Sequence, residues 1–324
     1  MNGEIAGLRL VADVGGTNSR VALFNPADGS LHALRDYRNA DHSDFGAVLE
    51  TWFQDARAAS PEAACIAVAA PPSGDTARMS NINWALHGPQ LARQFGIGRL
   101  RLINDFQANA FALPQLRRED CYTLQQGDTA VPRRLAVLGP GTGLGGAVLE
   151  MRASGPHVIP CEPGQMDIAP RDALQAALWA VLQRQHPRIY AELLLSGAGL
   201  QRLYRALGVV EGRATHNLEA AGITTAGLAG SDPLCVAALE QFCALLGAAC
   251  ANFLLANGCY EALYLAGGIL PRMLAFLQDS PFLARFHDTG PLQATLQRTA
   301  VNVITHRHPG LLGAGYAPLA DAGD

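Results

Sequence analysis

A chain of 324 residues with 49% hydrophobic and only 16% charged side chains carries enough apolar surface for two well-packed domains. Its formal net charge of −4, without a long basic run, gives no basis for a nucleic-acid surface. All 24 basic residues are arginine, which excludes a P-loop, a protein kinase and pyridoxal chemistry, each of which needs a lysine amine.

No basic stretch leads into an apolar core near the N-terminus, so no signal peptide is expected. The first apolar run, Leu8, Leu10 and Val11, ends in Asp13, turns on Gly15-Gly16-Thr17 and continues as an alternating run from Val21 to Phe24. That pattern predicts strand, tight turn, strand. Paired glycines bring backbone N–H groups close to a ligand, as an anionic phosphate requires. Asp13 at the strand end can hold a hydrated Mg²⁺, and Thr17 can donate a hydroxyl hydrogen bond. The same spacing also fits an ordinary hairpin with an Asp at its strand end.

Residues 25–29 are turn-forming, and 31–37 read as a third strand of the meander. Helical spacing at Phe45, Val48, Leu49, Trp52 and Phe53 predicts a helix over 45–59. A buried strand over 64–70, a segment over 81–86 and a short helix follow. A strand over 99–103 then runs into Asn104-Asp105, with a helix over 106–113. This is an α/β unit. The polar stretch 117–134 reads as a domain boundary.

Beyond it, a strand over 135–138 enters a second glycine turn, 139–145, and leaves it over 146–149. This repeats the opening hairpin and reads as an internal duplication. Helices are predicted over 171–184, 196–207 and 233–256. The last is nearly long enough to span a bilayer, but it is rich in Ala, Gly and Cys and lacks flanking Arg clusters, so a buried central helix is expected. A strand over 261–266 enters a third turn at Gly267-Gly268, with a helix from Pro271. The chain closes with a strand over 301–305 and a small helix over 309–315. The seven cysteines are scattered, four of them in or beside the long helix, which points to a reducing compartment, the cytoplasm, and away from structural zinc.

In this order, Asp13-x-Gly-Gly-Thr17, Gly139-x-Gly-Thr-Gly143 and Ala266-Gly-Gly268 resemble the phosphate and adenosine loops of the actin-like sugar kinase superfamily. More narrowly, the chain is similar to the bacterial glucokinase family over nearly its whole length. The matching segments are Ala12-Asp-Val-Gly-Gly-Thr-Asn18, Ile103-Asn-Asp-Phe106, Gly139-Pro-Gly-Thr-Gly-Leu-Gly145, Leu195-Ser-Gly-Ala-Gly199, Ala266-Gly-Gly-Ile269 and Pro309-Gly-Leu-Leu-Gly313. The cysteine-rich zinc motif of the related repressor and kinase family is missing, since Cys161 stands alone.

The resemblance implies an α/β protein of two actin-like (ribonuclease H-like) domains around a central cleft. The small domain would take residues 1–115 plus 305–324, and the large one 116–304. The implied activity is ATP-dependent phosphorylation of a hexose at its 6-hydroxyl, glucose to glucose 6-phosphate, by a cytoplasmic homodimer without nucleic-acid or membrane partners. N-acetylglucosamine kinase and a non-catalytic hexose sensor are the alternatives.

In that frame Asp105 is the general base, or else a cap on the following helix, and Asn104 meets neighbouring sugar hydroxyls. Ala12, Asp13, Val14, Gly15, Gly16 and Thr17, with Gly141, Thr142 and Gly143, form the phosphate loops for ATP, and Asp13 holds Mg²⁺ through water. Gly267 and Gly268 pass the adenosine, or else serve strand–helix packing. Glu162, Gln165 and Glu192 bind the sugar; a solvated helix residue is the plainer reading of Glu192. The family sequence at the sugar loop is Glu-Gly-Gly-His, whereas here it is Glu162-Pro-Gly-Gln165. Gln can donate and accept but cannot ionise, and Pro163 stiffens the turn. The altered pair lies toward the anomeric or 2-position side of the sugar, which makes N-acetylglucosamine the competing substrate.

Overall fold

A computed structural model describes residues 7–57, 61–79 and 82–319. The expected end of the first helix at 58–60, the start of the 81–86 segment at Asn81, and the outer ends of the small domain, 1–6 and 320–324, lie outside the described residues. The chain begins β1 (Arg9–Val14), β2 (Asn18–Phe24), β3 (Leu31–Arg38), α1 (Phe45–Ala56), β4 (Ala63–Val68). It continues through β5 (Thr76–Arg78), β6 (Ala85–His87), α2 (Gly88–Phe95), β7 (Arg99–Asn104) and α3 (Asp105–Ala112). Next come β8 (Cys121–Gln125), β9 (Arg134–Pro140), β10 (Leu144–Arg152), β11 (Gly155–Cys161), α4 (Ala173–Leu182), α5 (Ala191–Leu194), α6 (Gly197–Glu211) and α7 (Ala220–Leu228). The remaining elements are α8 (Pro233–Asn257), β12 (Ala262–Leu265), α9 (Leu274–Asp279), α10 (Phe282–His287), α11 (Gln293–Leu296), β13 (Ala300–Ile304) and α12 (Pro309–Tyr316). Two compact units result: one holds the chain up to Arg117, Leu149–Pro160 and the chain from His306, and the other holds Arg118–Val148 and Cys161–Thr305.

The first unit is built on a five-stranded sheet in the order β3-β2-β1-β4-β7. β1 is antiparallel to β2 and parallel to β4, and β4 is parallel to β7, so Val14, Val68 and Asn104 stand level at one carboxyl edge. The continuous apolar run of β4 fits its place between two parallel neighbours, with Ala64 to Val68 fully buried. On α1 the buried residues are Phe45, Val48, Leu49 and Trp52, the helical spacing expected, and Asp44 caps the helix by accepting from the Ala47 N–H at 2.9 Å. Arg57 ends it in the left-handed region.

At the carboxyl edge, α12 crosses α3 with almost no space between the backbones. A Cβ on Gly313 would run into the carbonyl of Ala108, with the Ala112 nitrogen 2.9 Å away. Because the obstacle is helix backbone, rotamer changes cannot relieve it. Gly313→Ala is therefore expected to cost about 2–3 kcal/mol of stability by overpacking, read as a lower urea midpoint with an unchanged slope.

The second unit carries a sheet in the order β11-β10-β9-β12-β13-β8. Its first five strands repeat the order of the other sheet, a three-strand meander followed by two further strands, with β9, β12 and β13 mutually parallel. The duplication expected from the two glycine hairpins thus extends to topology. The stretch expected to be a polar connection instead contains β8, antiparallel to β13 at the sheet edge. Only Leu124 of β8 is buried, so no apolar alternation betrays it.

The β5–β6 hairpin, β11, and the short helices α5, α7, α10 and α11 also go beyond the expected elements. Their patterns are too short or too mixed to read. α8 has the length and apolarity of a bilayer span, yet 78% of its most apolar window is buried inside the fold. A Cβ on its Gly247 would strike the Phe282 carbonyl, which shows how tightly α10 lies against it.

Candidate functional site

In the first unit, the β1–β2 turn is closed by the Gly15 N–H donating to the Asn18 carbonyl at 3.0 Å. Ala12 and Val14 are fully buried in the core, so they hold the strand, while Gly15, Gly16 and Thr17 stand at the surface beyond it. Asp13 points out of the strand's core face and faces Arg20 at 3.6 Å, and Arg20 in turn pairs with Asp36 at 3.0 Å. Burial pushes the Asp13 carboxyl above its ordinary value, and the Arg20 guanidinium opposes that push. The start of α12 closes on the same carboxylate: a Cβ on Gly310 would stand 3.3 Å from Asp13 Cγ.

Two strands across, β7 delivers Asn104 and Asp105 to the same sheet edge. Asn104 is the N-cap of α3. Its Oδ1 accepts from the Phe106 N–H at 2.9 Å, and Gln107 Oε1 accepts from the Asn104 N–H at 2.9 Å, a complete capping box. Asp105 Oδ1 also meets the Phe106 N–H, at 3.0 Å, but the cap stands without it. The side-chain oxygen of Asn104 is therefore committed to the helix, which leaves its NH₂ group for any sugar hydroxyl.

In the second unit, the β9–β10 turn is braced by the Gly141 N–H donating to the Gly143 carbonyl at 2.8 Å. The Gly197 N–H at the start of α6 donates to the Gly141 carbonyl at 3.0 Å. Nothing lies within 4 Å of where a Cβ on Gly141 would stand, and Thr142 is exposed, so the outer side of this turn has room for a ligand. At the third turn the two glycines differ. Gly267 has φ +95° and its Cβ would strike the Pro140 carbonyl, so local structure accounts for it. Gly268 faces free space.

The loop expected to meet the sugar leaves β11 at Cys161 and makes a single 3₁₀ turn over Pro163–Gln165. Pro163 is buried against Gly146, where a Cβ would come within 2.7 Å of the proline ring. Gln165 is exposed, and its carbonyl accepts from Arg188 Nη2 at 2.7 Å. A bridge between Asp167 and Tyr190, with the Ala191 N–H on the Met166 carbonyl at 2.9 Å, leads directly into α5 and carries Glu192 back to the loop.

Glu192 is not a solvated helix residue. Its Oε2 accepts from the Leu144 N–H at 2.9 Å, and it is hemmed in by Gly143 and Gly164, neither of which leaves room for a Cβ beside the carboxylate. The Glu162 carboxyl is pushed above its ordinary value, first by burial and then by the charge of Glu192.

A family model described as Glucokinase matches residues 10–320 of this chain. The chain belongs to the glucokinase family. It is an ATP-dependent sugar kinase by that membership. The glucokinase of Tolumonas auensis is 38% identical over 308 residues, covering 94% of this chain and 95% of the relative. The crystal structure of a glucokinase from an Antarctic psychrotroph superposes with a TM-score of 0.85 at 32% identity, covering 96% of this chain and 98% of that one. A glucokinase from Balamuthia mandrillaris, solved in complex with glucose, shares the fold at a TM-score of 0.79 and 22% identity, covering 97% and 94%.

For this glucokinase-family chain, Mg²⁺ can be tested against the donors present. Among the described residues no group of three or more His, Cys, Asp or Glu side chains forms a metal cage. A single carboxylate at a strand end beside the Gly15–Gly16 turn nevertheless fits Mg²⁺, which keeps most of its waters and takes remaining ligands from phosphates. Three residues near Asp13 escaped the sequence reading. Arg20 lies three positions past Thr17 and signals nothing by itself. His308, just before α12, has a buried Nδ1 without a hydrogen-bond partner, and burial followed by the charge of Arg20 pushes its pKa down. Asn39, only 4% exposed, touches the Gly15–Thr17 turn from behind.

Proposed function

We propose that this chain transfers the γ-phosphoryl group of ATP to the 6-hydroxyl of D-glucose, with Asp105 as general base. The observation that carries the reading is the shared carboxyl edge of β1, β4 and β7. It sets the Gly15–Thr17 turn and Asp105 two strand spacings apart, roughly 10 Å, at the edge where α/β sheets bind ligands. Asp105 accepts the 6-hydroxyl proton as that oxygen attacks phosphorus. The new O–P bond forms while the bond to the β-phosphate oxygen breaks, releasing ADP, and Asp105 returns its proton to solvent.

With no lysine to meet the phosphates, the N–H groups of Gly16, Thr17, Thr142 and Gly143 and the hydroxyls of Thr17 and Thr142 hold them, while Gly15 and Gly141, whose N–H groups close the two turns, shape the loops. Asp13 would hold Mg²⁺ through water; when bound, the ion neutralises charge on the β- and γ-phosphate oxygens. Gly267 and Gly268 pass the adenosine, and Gly268 is the one with space beside it. The Asn104 NH₂ donates to one sugar hydroxyl, and Glu162, Gln165 and Glu192 bind others. The domain division at 1–115 plus 305–324 and 116–304 belongs to this reading, as does a homodimer, which rests on the resemblance alone. Seven free cysteines support a cytoplasmic setting.

A coupled assay of ADP release against glucose, N-acetylglucosamine, mannose and fructose tests the proposal. Turnover is expected with glucose; a flat response to every sugar would leave a hexose-binding sensor instead. The loop residue that differs from the family gives a sharper comparison. Gln165→His is expected to raise kcat/KM for glucose over N-acetylglucosamine by about fivefold, the worth of one net hydrogen bond. An unchanged ratio would remove Gln165 from sugar selection.

A further inference from the structure

We propose that Asn39 is the positioning residue of the first phosphate loop, setting nucleotide affinity through the Gly15–Thr17 turn without touching the nucleotide. The inference rests on the reading that this turn binds phosphate. Asn39 follows β3 and makes three hydrogen bonds to residues 15–19. Its backbone N–H donates to the Thr17 carbonyl at 2.9 Å. Its Nδ2 donates to the Gly15 carbonyl at 2.7 Å, and its Oδ1 accepts from the Ser19 hydroxyl at 2.8 Å.

The amide orientation is fixed by chemistry, because the Gly15 carbonyl can only accept and so must face the NH₂ group. Ser19 is fully buried, so the network lies behind the turn, away from solvent. Tying back the carbonyls of Gly15 and Thr17 fixes both flanks of the Gly15–Gly16–Thr17 peptides and with them the directions of their N–H groups. The two adjacent glycines have no side chains of their own to do this.

Removing the side chain leaves the part-buried carbonyl of Gly15 without its partner, which costs enough to shift a loop equilibrium by about tenfold. Asn39→Ala is therefore expected to raise the Kd for Mg²⁺ and a non-hydrolysable ATP analogue by about tenfold, with the glucose Kd changed less than about twofold, both by calorimetry on the full chain. Ser19→Ala keeps Asn39 and removes only the hydroxyl that orients it, so a smaller loss of about threefold in nucleotide affinity is expected. Ser19→Ala also serves if Asn39→Ala fails to fold. Asn39→Asp, a near-isostere whose carboxylate would oppose the Gly15 carbonyl, should not rescue binding.

Amide exchange at residues 15–17 without ligand should rise in Asn39→Ala and stay low elsewhere in β1 and β2. Equal losses for nucleotide and glucose, or unchanged nucleotide affinity in both alanine variants, would overturn the proposal. Thr17→Val separates the two levels. If it keeps nucleotide affinity, the phosphate-loop reading fails and takes this inference with it. If it loses affinity while the Asn39 and Ser19 variants do not, only the positioning role fails.

Discussion

Asp105→Asn is expected to lower kcat about a thousandfold, roughly 4 kcal/mol of transition-state stabilisation, while glucose affinity stays within about twofold. Asn keeps the side-chain oxygen that meets the Phe106 N–H at 3.0 Å, and the capping box between Asn104 and Gln107 holds the start of α3 in either case. The loss should therefore fall on kcat rather than on binding. Steady-state kinetics alongside calorimetric sugar titration would check both halves. Turnover within tenfold of the parent would remove Asp105 as the base, and a parallel loss of sugar affinity would make it a binding residue.

That separation of roles could not be read from the chain alone. Asn104-Asp105 before an apolar helix can be read as catalytic machinery or as a cap, and only the structure shows that Asn104 takes the cap. Features made by neighbours in sequence were legible. The two glycine hairpins, the apolar run of β4 and the helical spacing of α1 all follow from local period and turn chemistry.

What was not legible depends on partners far apart. Asn39 meets Gly15 across 24 positions, and Glu192 meets Leu144 across 48. β8 was hidden for the same reason: an edge strand with one buried side chain has no periodic signature, and only pairing with β13 makes it a strand. The sugar loop was legible as a departure from the family, Pro163 and Gln165, but not in its consequence. Pro163 rests on Gly146 and is buried, while Gln165 stays exposed with its carbonyl held by Arg188. The two replacements therefore act differently, one on the shape of the turn and one on the group it presents.

In the proposed reading, sugar and nucleotide requirements meet in the side chain of Glu192. Its Oε2 is the acceptor for the Leu144 N–H, immediately after the Gly141–Gly143 turn, while its charge acts on Glu162 in the sugar loop. Glu192→Ala is thus expected to lower kcat/KM by about 10²–10³-fold, roughly 3–4 kcal/mol, from a stranded N–H and a lost charged contact together. Both nucleotide and sugar affinities should fall, and loss of the sugar alone would deny the bracing role.

Glu192→Gln divides the effects, because the amide oxygen can still accept from Leu144 while the charge is gone. Nucleotide affinity should then stay near that of the parent. The pH response has a definite sign. Glu162 is held above its ordinary pKa first by burial and second by Glu192, so sugar affinity that needs ionised Glu162 is lost as pH falls through that raised value. Removing the Glu192 charge lowers the Glu162 pKa, and the acid limb of sugar affinity should move to lower pH. A limb that stays in place would mean that burial alone sets Glu162, and that the two carboxylates bind the sugar independently.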